Sequence, residues 1–148
     1  MPPEQITIST DVAAPAGTAW QAYTTPEHII QWNFASPDWQ CPWARNDMTV
    51  GGTYAARMEA KDGSFGFEFA AAYDAIDPGR SFTYTMEDGR KVTTTFAPAG
   101  DRTRVTTTFD AESETPVEMQ RDGWQAILEN FVEVDVVQGN GQRPGFNL

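Results

Sequence analysis

The chain has 148 residues, five of them Trp, and carries 10 Lys+Arg against 21 Asp+Glu, a formal net charge of -11. That length suits one domain, which buries roughly 70% of its unfolded surface and needs neither disulfide nor metal to hold a core. The acidic balance disfavours nucleic acid as a partner. The single cysteine, Cys41, excludes an intrachain disulfide and fits a reducing compartment. The first residues, Met1 to Gln5, lack the basic and apolar regions of a secretory signal, and no apolar run reaches the length of a membrane span. The expectation is one cytoplasmic domain over 1–148, with no membrane insertion.

Ile6 and Ile8 alternate with Thr7 and Ser9, so Gln5 to Val12 reads as a strand. Pro15 opens a short helix carrying Ala16, Ala19, Trp20 and Tyr23 at helical spacing. Thr25-Pro26 starts a second, with Ile29, Ile30 and Trp32 on its apolar side. Asn33 to Val50 reads as a long irregular segment holding Phe34, Trp39, Cys41, Pro42 and Trp43. It is either a covering loop or the entrance to a site.

Gly51-Gly52 marks a tight turn or bulge. Thr53 to Ala60 is a strand with Tyr54, Ala56 and Met58 on one face, and Lys61-Asp62-Gly63-Ser64 is a hairpin turn. Phe65, Phe67, Phe69, Ala71 and Tyr73 then alternate with smaller and polar residues. Three further strands follow, on Phe82-Tyr84-Met86, Val92-Thr94-Phe96 and Val105-Thr107-Phe109 positions, separated by Gly-containing turns. Thr115-Pro116-Val117-Glu118 has the form of a capping box with Pro at the first helical position. It opens a long amphipathic helix with Val117, Trp124, Ile127, Leu128, Phe131 and Val134 on one stripe. A turn-rich, flexible tail is expected over 139–148.

The order strand, two short helices, antiparallel strands, long helix predicts an α+β fold. A curved antiparallel sheet has one apolar face, and the last helix is the element long enough to cover it.

Several segments of this chain together resemble a known family. They are Trp20-Gln21-Ala22-Tyr23-Thr24-Thr25-Pro26-Glu27-His28-Ile29 with Trp32, Val50-Gly51-Gly52-Thr53-Tyr54, Ile76-Asp77-Pro78-Gly79-Arg80-Ser81-Phe82, Thr103-Arg104-Val105-Thr106 and Gly123-Trp124. Their order and spacing are similar to the branch of the START-like (SRPBCC) superfamily related to the activator of Hsp90 ATPase. The resemblance implies a helix-grip (START-like, Bet v 1-like) fold with a cavity between sheet and C-terminal helix. Members bind lipids, polyketides or other apolar molecules, some are cyclases or dehydratases, and the namesake stimulates a chaperone ATPase.

Candidate chemistry is sparse. His28, the one histidine, reads as a surface residue of the first turn of its helix, with a general base as the alternative. Cys41 has no neighbouring His, and one His with one Cys excludes a structural zinc site, so no metal and no cofactor is expected. Glu59 and Glu68 fall by strand parity on the face of Arg57, as cross-strand charge pairs, unless a bulge slips the register. No catalytic residue is assigned.

The remaining constellation is apolar. Trp32, Phe34, Trp39 and Trp43 belong to the entrance. Tyr54, Met58, Phe67, Phe69, Tyr73, Tyr84 and Phe96 line the inner sheet face, and Trp124, Ile127, Leu128 and Phe131 come from the helix. Small residues at Ala56, Ala70, Ala71 and Ala72 would leave volume among them. The ligand-binding candidates are Trp32, Phe34, Trp43, Tyr54, Met58, Phe67, Phe69, Tyr73, Tyr84, Trp124 and Leu128. An apolar small-molecule ligand is the expected partner, an enzyme of the cyclase or dehydratase kind and a chaperone-interacting protein are the alternatives, and an exposed sheet edge permits a homodimer.

Overall fold

A computed structural model describes residues 4–133. The elements in chain order are β1 (Gln5–Val12), α1 (Ala16–Thr24), α2 (Pro26–Ile29), β2 (Trp39–Asn46), β3 (Thr53–Ala60), β4 (Gly66–Asp77), β5 (Ser81–Met86), β6 (Lys91–Ala99), β7 (Arg102–Asp110) and α3 (Val117–Glu133). The strands form one antiparallel sheet in the order β1-β7-β6-β5-β4-β3-β2. Consecutive strands are joined by short turns, and β1 closes onto β7 because the two helices carry the chain across to the far edge. Val134 and the 139–148 tail lie outside the described residues.

One expectation fails in the segment 33–50. Trp39–Asn46 is not loop but the edge strand β2, paired with β3 from Trp39↔Ala60 to Asn46↔Tyr54. Pro42 hid it, since a residue without an N–H reads against a strand, yet an edge strand needs no donor on its open side. A bulge between Gln40 and Trp43 absorbs the irregularity. A second bulge, between Tyr73 and Ala75 of β4, bends the sheet and moves Ile76 onto the face of Phe82.

The Gly51-Gly52 pair holds that region. Gly51 has φ +87, and a Cβ on Gly52 would lie 2.5 Å from the Asp47 carbonyl oxygen. Gly51 N–H donates to the Tyr73 carbonyl at 2.8 Å, and Tyr73 N–H donates to Gly52 O at 3.0 Å. The double glycine thus ties the start of β3 to the bulged part of β4.

The last helix does not cover the sheet alone. Ala19, Ala22 and Ile29 of the two short helices are buried, and Trp20 and Tyr23 set their rings edge-on to Phe96 at 5.3 and 5.5 Å. Helix α3 approaches the sheet most closely at β1. Two aromatic contacts pin it. Trp124 stacks on Phe109 of β7, centroids 4.0 Å apart and 12° from parallel, and Phe131 packs edge-on against Tyr23 at 5.0 Å and Trp32 at 5.4 Å. Its N-terminus differs from the expected capping box. The helix begins at Val117, and Gln120 clamps the preceding loop, its amide accepting from Glu112 N–H at 2.9 Å and donating to the Glu112 and Thr115 carbonyls at 3.0 and 2.6 Å.

Phe131 has no solvent exposure. Phe131→Ala removes a buried ring at the pin and is expected to cost about 3–5 kcal/mol. Met119→Ala, on the exposed side of the same helix, is expected to stay within about 0.5 kcal/mol. Urea denaturation of the two variants checks the contrast.

Candidate ligand cavity

Between the sheet and α3 lies a cavity of about 500 Å³. This falls in the range of small-molecule sites, roughly 300–1,000 Å³. Each wall comes from a different element. Met58 and Tyr54 of β3, Phe67, Phe69 and Tyr73 of β4, and Phe82, Tyr84 and Met86 of β5 supply the sheet side. Their alternation follows from the period-2 pleat. Gly123, Trp124, Ile127 and Leu128 supply the helix side, and Trp32, Asn33, Phe34 and Trp39 the remaining wall.

Of the residues expected at a ligand site, Trp32, Phe34, Tyr54, Met58, Phe67, Phe69, Tyr73, Tyr84, Trp124 and Leu128 all border this cavity. Trp43 does not. The β2 bulge flips its parity: Trp43 pairs with Arg57 on the outer sheet face, and its ring lies under the Arg45 guanidinium at 4.8 Å. Phe96 and Phe131 are core rather than wall, at 2% and 0% exposure. Ala70 and Ala72 contribute no interior volume, because they alternate with Phe69, Ala71 and Tyr73 onto the outer face. Phe67, although it borders the cavity, is 45% exposed, and with Trp39 and the more exposed Phe65 it forms an aromatic rim, ring centroids 5.9–6.1 Å from Trp39.

Polar groups on the wall are few and mostly committed. Tyr73 donates to Asn46 Oδ1 at 2.7 Å, and Asn46 donates to the Thr24 carbonyl at 2.7 Å. Asn33 Nδ2 donates to Tyr54 Oη at 3.3 Å and points at Cys41 Sγ at 3.8 Å. Trp32 Nε1 donates to the Ala22 carbonyl at 3.1 Å. Asn130 of α3 donates to the Phe34 carbonyl at 2.6 Å and so fixes the segment after α2 to the helix. Burial pushes the Cys41 thiol up, away from the thiolate form.

Among the described residues the charged groups on the wall are Arg90 and Glu112. Arg90 Nε is held by Asp88 Oδ2 at 2.8 Å. A hydrogen bond from the Thr115 side chain holds the Glu112 carboxyl below the usual carboxylate range, while its Oε1 is buried without a partner. Glu59 and Glu68 lie on the outer face with Arg57, at 2.9 and 3.8 Å, and His28 does not border the cavity. A general acid or base on this wall would therefore come from Glu112 or the tyrosine hydroxyls. Sequence reasoning missed Asn33, Arg90, Glu112, Gln120 and Gly123 as wall residues. Only Gly123 left a signal, a glycine in the middle of an amphipathic helix, where it costs about 1 kcal/mol relative to Ala.

Comparison with known proteins agrees with this architecture. The family model of activator of Hsp90 ATPase homolog 1-like proteins matches residues 13–134. The solution structure of an AHSA1-like protein from Aeromonas hydrophila is 37% identical, with a TM-score of 0.82 over 87% of this chain and 90% of that one. That of Chr148 from Cytophaga hutchinsonii is 42% identical, with a TM-score of 0.77 over 86% and 88%. DynU16, a protein of the dynemicin biosynthetic locus, shares the fold at 17% identity and a TM-score of 0.65 over 88% of this chain and 46% of its own. A comparison with curated proteins finds no match.

All four tyrosines of the chain are pushed above the ordinary value of 10.0 by burial, Tyr54 and Tyr84 well above it. A raised folded-state pKa stabilises the fold fully below the unfolded value, and that stability is lost as pH rises beyond it. Stability is therefore expected to fall as pH climbs past 10.0, and tyrosinate absorbance to appear with unfolding rather than before it. A spectrophotometric titration run beside circular dichroism checks this.

These segments, this sheet order and the span of the family match place the chain in the activator of Hsp90 ATPase homolog 1-like family of helix-grip domains.

Proposed function

We propose that the protein binds an apolar small molecule in the cavity between sheet and C-terminal helix. The observation that carries this reading is the cavity itself, about 500 Å³ bordered by aromatic, Met, Ile and Leu side chains with few polar groups. A close-packed core leaves few voids larger than a water molecule. Filling such a space with a ligand restores the contacts its walls otherwise lack.

Gly123 supports the same reading. A Cβ added there meets nothing within 4 Å, so the site tolerates a larger side chain, and alanine would raise helix propensity by about 1 kcal/mol. Glycine at this position keeps the helix-side wall low.

A leucine at 123 separates a ligand site from an ordinary core. Gly123→Leu projects into the cavity and is expected to leave the melting temperature unchanged or higher. It is expected to abolish binding of the neutral apolar fluorophore N-phenylnaphthylamine, measured by its fluorescence gain. Wild-type protein that gives no gain, or a Gly123→Leu variant that binds as well as wild type, contradicts the proposal.

A further inference from the structure

Two neighbouring tyrosines of the cavity wall, Tyr54 and Tyr84, carry hydroxyl protons with no acceptor among the described residues. Tyr54 Oη accepts from Asn33 Nδ2 at 3.3 Å, which leaves its own hydrogen free. The Tyr84 hydroxyl makes no hydrogen bond to any described residue. Both side chains border the cavity, both are less than one-tenth exposed, and their rings are neighbours at 5.8 Å. Both hydroxyls open onto the cavity space, and once a ligand excludes water from it a donor left without an acceptor costs about 1–3 kcal/mol, so a ligand group that accepts from them is favoured there. Phenols are protonated at neutral pH, and burial raises both of these further, so both hydroxyls are donors.

Charge decides what kind of acceptor fits. Among the described residues the one wall cation, Arg90, is bonded through Nε to Asp88 and also lies close enough to add to the Thr115 hydrogen bond in lowering the Glu112 carboxyl, so two carboxylates already face one guanidinium. The protein as a whole carries -11. An ionised carboxylate entering this space sheds its water and meets a guanidinium that two carboxylates already face, a loss that neutral donors do not repay. A ketone or ester oxygen has far less hydration to lose and accepts from a phenol as readily.

We propose that Tyr84 and Tyr54 form a donor subsite selecting ligands with a neutral carbonyl, a ketone or ester on an apolar body, over ionised carboxylates of the same length. This rests on the cavity being a ligand site.

Displacement of N-phenylnaphthylamine by methyl laurate and by laurate at neutral pH tests both levels. The ester is expected to bind about tenfold or more tighter than the acid anion. Tyr84→Phe and Tyr54→Phe are each expected to weaken the ester about three- to tenfold relative to the fluorophore measured on the same variant, the worth of one hydrogen bond. If the fluorophore binds but laurate matches or beats the ester, or neither tyrosine variant alters ester affinity, the donor subsite is wrong and the cavity reading stands. If the fluorophore does not bind at all, both fall.

Discussion

Helix α3 is held to the rest of the molecule at two aromatic contacts, and everything proposed for this protein depends on them. Trp124 lies flat on Phe109 at 4.0 Å, and Phe131 is wedged between Tyr23 and Trp32. Between and beside these pins the helix presents Gly123, Ile127 and Leu128 to the cavity. Bulges in β2 and β4 bend strands on that side of the sheet. A helix fixed at both contacts cannot settle onto a concave surface. The space that remains is a consequence of rigid packing at the two pins.

The polar groups around the cavity serve the same arrangement. Asn46 joins Tyr73 to the end of α1, Asn33 joins the segment after α2 to Tyr54, and Asn130 joins it to α3. Each satisfies a buried acceptor that would otherwise be costly, and each fixes one wall relative to another. Buried Thr94 and Thr107 hydroxyls bond to each other at 2.9 Å beneath Tyr23. The Tyr54 and Tyr84 protons take part in none of these bonds and face the cavity.

Much of this was legible in the chain. Alternation in Phe67-Phe69-Ala71-Tyr73 and the stripe Trp124-Ile127-Leu128-Phe131 place those side chains on their observed faces, because pleat and helix periods are set by backbone geometry. Trp43 was misread for the reason Trp39 was not: one extra residue in the β2 bulge reverses parity, and no local composition announces it. The edge strand itself was hidden by Pro42. Arg90 and Glu112 border the cavity through turn and loop geometry that hydrophobic patterning does not encode, and Gln120 does so as a polar residue in the first turn of α3. The exposed Phe65, 66% accessible, belongs to the turn side of the hairpin, where strand parity no longer implies burial.

The central claim is that the space under α3 admits a ligand. Intermolecular NOEs between bound N-phenylnaphthylamine and the protein test it most directly. The account predicts contacts to the methyl groups of Ile8, Ile127 and Leu128, which border the cavity from sheet and helix. Contacts confined to the exposed Phe65 and Met119 side chains, or none at saturating fluorophore, would contradict it.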